Sequence, residues 1–149
     1  MTDADLAERL TRRRARVMFV LAALFITQQG SYFTNTPMGA GAVAPLKIAA
    51  WLVISVVLLV GFATGGGWAR SAKVRALMND ETTRAHRATA TTIGFYNAMA
   101  TGVVIYGLAM VKPIFGRDAV HVMMTVGIAS ALIAFAGLER AALRTTSRR

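Results

Sequence analysis

Four long apolar runs divide the chain. They cover residues 17–33, 48–67, 93–111 and 120–138, and none contains Asp, Glu, Lys or Arg. Each is near the ~20 residues that an α-helix needs to cross the hydrocarbon core of a bilayer. A surface helix of a soluble protein shows charge on one face every turn or so, whereas these runs are apolar all round. The pattern predicts an all-α fold: an integral membrane four-helix bundle, a single domain over 1–149. Its spans are expected at about 17–35, 46–67, 91–112 and 119–139, arranged as two antiparallel transmembrane hairpins.

The polar segments punctuate the spans. Residues 35–45, NTPMGAGAVAP, read as a short outer link, with Pro37, Gly39, Gly41 and Pro45 as breakers. Residues 114–118 form a tight turn. Residues 68–90 are the one long polar stretch between apolar runs. There Asn79 or Asp80 is placed to cap a helix that runs on into the third span. Asp80 and Arg84, and Glu81 and Arg84, have helical pair spacing, which contributes only ~0.3–0.5 kcal/mol when exposed. The first sixteen residues read as a helical lead-in, with Asp3, Asp5 and Glu8 early and the arginines late, as the helix dipole favours. A basic start, an apolar run and Ala40-Gly41-Ala42 imitate a signal peptide. The apolar run continues to Phe33, however, so the first span is read as retained. Trp51 and Trp68 fall near opposite membrane boundaries.

Charge then orients the bundle. The chain has 17 Lys and Arg against 7 Asp and Glu, a net charge of +10, and the placement matters more than the total. Arg9, Arg12, Arg13, Arg14 and Arg16 precede the first run. Arg70, Lys73, Arg75, Arg84 and Arg87 lie between the second and third, and Arg140, Arg144, Arg148 and Arg149 follow the fourth. Only Lys47, Lys112 and Arg117 occupy the other connections. This positive-inside asymmetry puts both termini and the central loop in the cytoplasm. It also makes the membrane surface, through anionic lipid, the natural partner of the basic segments. Nucleic acid is not expected, because no separate basic module with base-reading residues is present. The absence of cysteine removes thiolate chemistry and disulfides.

Polar residues inside the spans are the candidate chemistry. Gln28, Ser31, Tyr32 and Asn35 follow helical spacing on one face, with Gln29 beside it. In lipid such groups must turn inward to find partners. Interhelical hydrogen bonding is one reading, at ~0.6–2 kcal/mol per contact, and a small-ligand site is the other. Tyr106 and His121 lie at the same outer level. Gln28, Gln29, Tyr32, Asn35, Tyr106 and His121 are therefore expected to form one outward-facing polar cluster.

Small residues predict helix packing. Gly94, Ala98 and Gly102 recur every four residues and form a ridge suited to close approach, within the chain or in a dimer. Gly61 and Gly65 are a weaker pair. Sliding the chain by seventy residues aligns Arg14 with Arg84, Phe25 with Phe95 and Arg70 with Arg140, which suggests a tandem pair of hairpins.

The segment Leu77, Asn79-Asp80-Glu81, Thr83-Arg84-Ala85, Arg87, Ala90 and Gly94-Phe95 resembles the loop-to-helix signature of small bacterial four-span inner-membrane proteins of unassigned activity. In these an acidic pair opens a helix that enters the bilayer. The resemblance covers about a fifth of the chain together with the four-span layout. It implies an inner-membrane location and transfers no catalytic residue.

Several functions are disfavoured on this reading. Two-histidine haem ligation needs imidazoles at matching depth, whereas His86 and His121 are placed at opposite sides. Proton-coupled four-span exporters need an embedded carboxylate, and the apolar runs have none. Ser31 and Ser130 have no base at their level. No catalytic residue, cofactor or metal site is expected. The leading expectation is a non-enzymatic membrane protein, an accessory subunit or small homo-oligomer. Its partner surfaces would be the span-three ridge and the cytoplasmic residues Asp80, Glu81, Arg84 and Arg87. The alternatives are a transporter or binder of a small neutral or anionic molecule, and a regulator of a cytoplasmic partner.

Overall fold

A computed structural model describes residues 3–34, 45–65 and 80–146. Within them the chain forms four helices and no strand: α1 (Asp3–Thr34), α2 (Pro45–Ala63), α3 (Glu81–Ala109) and α4 (Gly116–Thr146). The outer link, the segment 66–79 with Trp68, and Asn35 lie outside the described residues.

Each boundary has a local cause. The lead-in and first span fuse into one helix of 32 residues, because no Gly or Pro interrupts it before Gly30. Pro45 opens α2, where its missing N–H costs nothing. Gly65 then ends α2 earlier than the apolar run suggests: it adopts φ 74°, a left-handed conformation that glycine takes without strain. Asp80 caps α3 as expected, its carboxylate accepting the Thr83 N–H at 2.8 Å. Lys112-Pro113 follows the end of α3. The final helix starts at Gly116, before the expected Ala119, and runs past Glu139 to Thr146.

α4 is the hub. α1 and α3 both pack along it, and α2 leans on it more lightly. Consecutive helices alternate in direction, as the two-hairpin expectation requires. Arg14 meets Glu139 and Gln29 meets His121, so α1 runs antiparallel to α4. Trp51 meets His121 and Phe62 meets Phe135, so α2 runs parallel to it. α1 nevertheless packs far more on α4 than on α2.

The α3–α4 contact is the tight one. A Cβ added at Gly94 would sit 2.7 Å from the Gly127 carbonyl oxygen and 2.8 Å from the Ala131 Cβ. Gly127 in turn lies against Ala98, and Gly102 against Met123. The predicted ridge is thus used inside the chain. Gly61 faces open space, so this member of the second small pair makes no such approach. The core joins Ala22 and Phe25 of α1, Trp51 and Leu58 of α2, and Ile128 and Leu132 of α4.

Much apolar surface stays outside. α2 exposes Val53 and Val57, and α3 exposes Val103 (73%) and Tyr106 (71%). Two helices, Glu81–Ala109 and the Gly116–Arg144 part of α4, are long and apolar enough to cross a membrane, and Lys47–Ala63 is a shorter apolar helix. The repeat-aligned positions differ in environment: Phe25 is buried and Phe95 exposed, Arg14 buried and Arg84 exposed.

Candidate functional site

Two buried polar layers cross the bundle, one near each end. At the first, α1, α3 and α4 converge on one carboxylate. Glu139 Oε2 accepts from Arg14 Nη2 at 2.9 Å. Glu139 Oε1 accepts from the Thr83 hydroxyl at 3.3 Å and pairs with His86 Nδ1 at 3.1 Å. Arg14 Nη2 also donates to Thr83 Oγ1 at 3.2 Å, which closes the network. Arg14, Thr83 and Glu139 are all buried, and the Arg14 guanidinium lies over the Phe135 ring at 5.4 Å. Both carboxylate oxygens are engaged, so the layer is built to hold three helices together. A buried charge is tolerated only when paired and hydrogen-bonded in this way.

Helical spacing explains why α3 supplies two members. Thr83 and His86 are three apart and Arg87 is four from Thr83, so all three share a face. Arg87 reaches sideways instead, donating from Nη1 to the Ala63 carbonyl at 2.8 Å. It thereby satisfies one of the open carbonyls at the end of α2. Burial lowers the Arg87 pKa from its ordinary value, and the charges of Arg14 and Arg84 lower it further, against an opposing effect of Glu139. The guanidinium remains charged all the same.

The second layer joins α1, α2 and α4. The Gln29 side-chain oxygen lies against His121 Nε2. Trp51 stacks on the His121 ring with centroids 4.3 Å apart and planes 30° apart. Gln29, Trp51 and His121 are buried, as is Asp118 one turn before His121. Three buried polar atoms nearby on these helices have no hydrogen-bond partner among the described residues: Gln29 Nε2, Trp51 Nε1 and Ser55 Oγ.

The expected six-residue cluster is therefore assembled only in part. Gln29 and His121 meet. Gln28 is half-buried, whereas its neighbour Gln29 is buried. Tyr106 points outward on α3 and does not join. Asn35 and the side chain of Tyr32 lie outside the described residues. The charged quartet of α3 is also divided: Asp80 caps the helix, Glu81 and Arg84 are exposed, and Arg87 holds α2.

Sequence reasoning missed Arg14, Thr83, His86 and Glu139 as a group, and Trp51 as a buried partner. One signal was present: Glu139 is the sole carboxylate after Asp118, at the level where the basic lead-in of α1 returns. Comparisons with family models, curated proteins and solved structures give no match to this chain.

Proposed function

We propose that this chain is a non-enzymatic integral membrane protein of the bacterial inner membrane, with both termini and the central stretch cytoplasmic. It acts as an accessory subunit or assembles with copies of itself. The observation that carries this reading is the spacing of the two layers. His121 and Glu139 are separated by about 27 Å of helix rise along α4, close to the ~30 Å of a bilayer hydrocarbon core. Between them α4 has no charged residue, and its Thr125 and Ser130 hydroxyls donate back to their own helix. Polar layers at the two borders, with apolar faces of α2 and α3 outside, fit a bundle immersed in lipid. The positive-inside charge pattern supplies the orientation.

What is left over supports an accessory or self-assembling role. The ridge Gly94–Ala98–Gly102 is occupied by α4, so any partner helix docks elsewhere, against the apolar outer faces of α2 and α3. Extraction into nanodiscs from the native membrane, followed by mass determination, tests this. A defined complex with another protein or with further copies is expected. A lone monomer would contradict the reading.

A second reading rests on the second layer. Gln29 Nε2 and Trp51 Nε1 are buried donors without a partner among the described residues, and Ser55 Oγ is a third buried polar atom of the same kind. A small molecule bearing an acceptor oxygen would satisfy them, which favours a binder of a neutral or anionic molecule at the outer end. Mass determination of the same extracts for a retained small molecule separates the two.

A further inference from the structure

We propose that the outer face of α3 is the contact through which two copies of this chain pair in the membrane. The inference rests on the membrane reading above and deepens its self-assembling form, by naming the surface and the partner.

Ile93, Asn97, Ala100, Val104 and Gly107 follow one another at intervals of four, three, four and three residues. That alternation is the spacing of a coiled-coil seam, and it lines them up along one stripe of α3. All five are exposed. A different stripe, Gly94, Ala98 and Gly102, is the one packed on α4. Ala100 and Gly107 give the open seam two small positions. A Cβ at Gly107 would meet nothing within 4 Å, so no contact among the described residues calls for a glycine there. Close approach of another helix does.

Asn97 carries the argument further than small residues can. The neighbouring threonines of α3, Thr91, Thr92 and Thr101, turn their hydroxyls back to carbonyls of their own helix. The Asn97 carboxamide makes no hydrogen bond to any described residue. Its depth is set by its neighbour. Ala98 packs on Gly127, which lies about 9 Å of helix rise from His121 and about 18 Å from Glu139 along α4. A short carboxamide reaches neither border. In the membrane reading Asn97 therefore faces hydrocarbon with its donors and acceptor unpaired, which a bilayer penalises.

The amide is complementary to itself. A second copy inserted the same way presents its α3 parallel to the first, about a two-fold axis along the membrane normal. It brings its own Asn97 to the same depth, and each carboxamide can donate to the other. An asparagine at one seam position also fixes register and helix number. By contrast, Leu52, Val53, Val56 and Val57 on the open face of α2 are all aliphatic, as lipid contact favours.

The test uses the full chain in liposomes of phosphatidylethanolamine and phosphatidylglycerol. Energy transfer between labelled copies reads the dimer fraction over a range of protein-to-lipid ratios, for wild type, Asn97→Val and Asn97→Gln. Single cysteines are then oxidised in membranes of expressing cells: Ala100→Cys in the seam, Met99→Cys at the same depth outside it, and Val57→Cys on α2. Wild type is expected to dimerise. Asn97→Val should raise the dissociation constant about threefold to tenfold, and Asn97→Gln, which keeps the amide, by less. An unchanged circular dichroism spectrum of Asn97→Val guards against a folding defect. Ala100→Cys should form a disulfide-linked dimer, and the two controls should not. Equal dimerisation of Asn97→Val and wild type, or cross-linking through Val57→Cys in place of Ala100→Cys, would overturn the surface and leave self-assembly standing. A chain monomeric at every density overturns the inference, and the accessory reading stands if native extracts hold another protein. A chain that does not insert into liposomes on flotation defeats the membrane reading, and the inference with it.

Discussion

Arg14 and Glu139, 125 residues apart in sequence, meet at 2.9 Å in the interior of the bundle. The contact ties the first helix to the last. Thr83 and His86 complete it from the third. Removing one member leaves a charge buried without its partner, which typically costs about 3–5 kcal/mol. Arg14→Met and Glu139→Gln are each expected to destabilise the bundle by that order. The double variant Arg14→Met/Glu139→Gln should cost clearly less than the two singles together. Unfolding in mixed detergent, followed by circular dichroism, measures all three. Simple additivity would show that the pair does not couple the helices.

The glycines of the bundle separate by environment. Gly94→Ala places a methyl group 2.7 Å from the Gly127 carbonyl, so α3 and α4 must move apart, at about 1–3 kcal/mol. Gly61→Ala meets nothing within 4 Å and should be neutral or stabilising by up to about 1 kcal/mol. The same unfolding measurement distinguishes them, and the contrast is stronger than either value alone.

The layer of Gln29, Trp51 and His121 can be divided by conservative substitution. Gln29→Leu removes the contact of Gln29 with His121 and is expected to cost about 1–2 kcal/mol. Trp51→Phe keeps an aromatic ring available to stack and discards an N–H with no partner among the described residues, so the loss should be limited to that of a smaller ring in the core, about 1–2 kcal/mol. If the site holds a molecule, Trp51→Phe lowers its retention in extracts. A loss well beyond that of the smaller ring would show that the indole N–H is already satisfied within the protein.

Arg87 is the described hydrogen-bonded link from α3 to the end of α2. Arg87→Ala should release that end, with a loss of about 1 kcal/mol and faster amide exchange confined to the last turn of α2. Unchanged exchange there would mean that the packing of Phe62 on Phe135 suffices.

Helix number, alternation of direction, the Asp80 cap and the ridge on α3 were legible because each rests on local spacing or composition. The hub role of α4 was not. It depends on how each helix rotates about its axis, and helices apolar all round give no stripe from which rotation can be read. The polar face of α1 illustrates the point: four residues at helical spacing suggested Gln28, yet the rotation set by Phe25 and Ala22 in the core turns Gln29 inward. Glu139 was hidden for a related reason. It follows the last apolar residue and looks like the end of a span, but α4 continues for two more turns and puts it in the interior.

The central claim is a membrane bundle with one polar layer at each border and the Arg14–Glu139 end in the cytoplasm. The chain has no cysteine, so single cysteines can be introduced without a background. Lys112→Cys lies after α3, at the end that the proposed orientation puts outside, and Arg84→Cys is exposed in the first turns of α3, at the end that it puts inside. In intact cells an impermeant maleimide should label Lys112→Cys, and should label Arg84→Cys only after the membrane is opened. Labelling of both without permeabilisation, or of Arg84→Cys alone, would contradict the account.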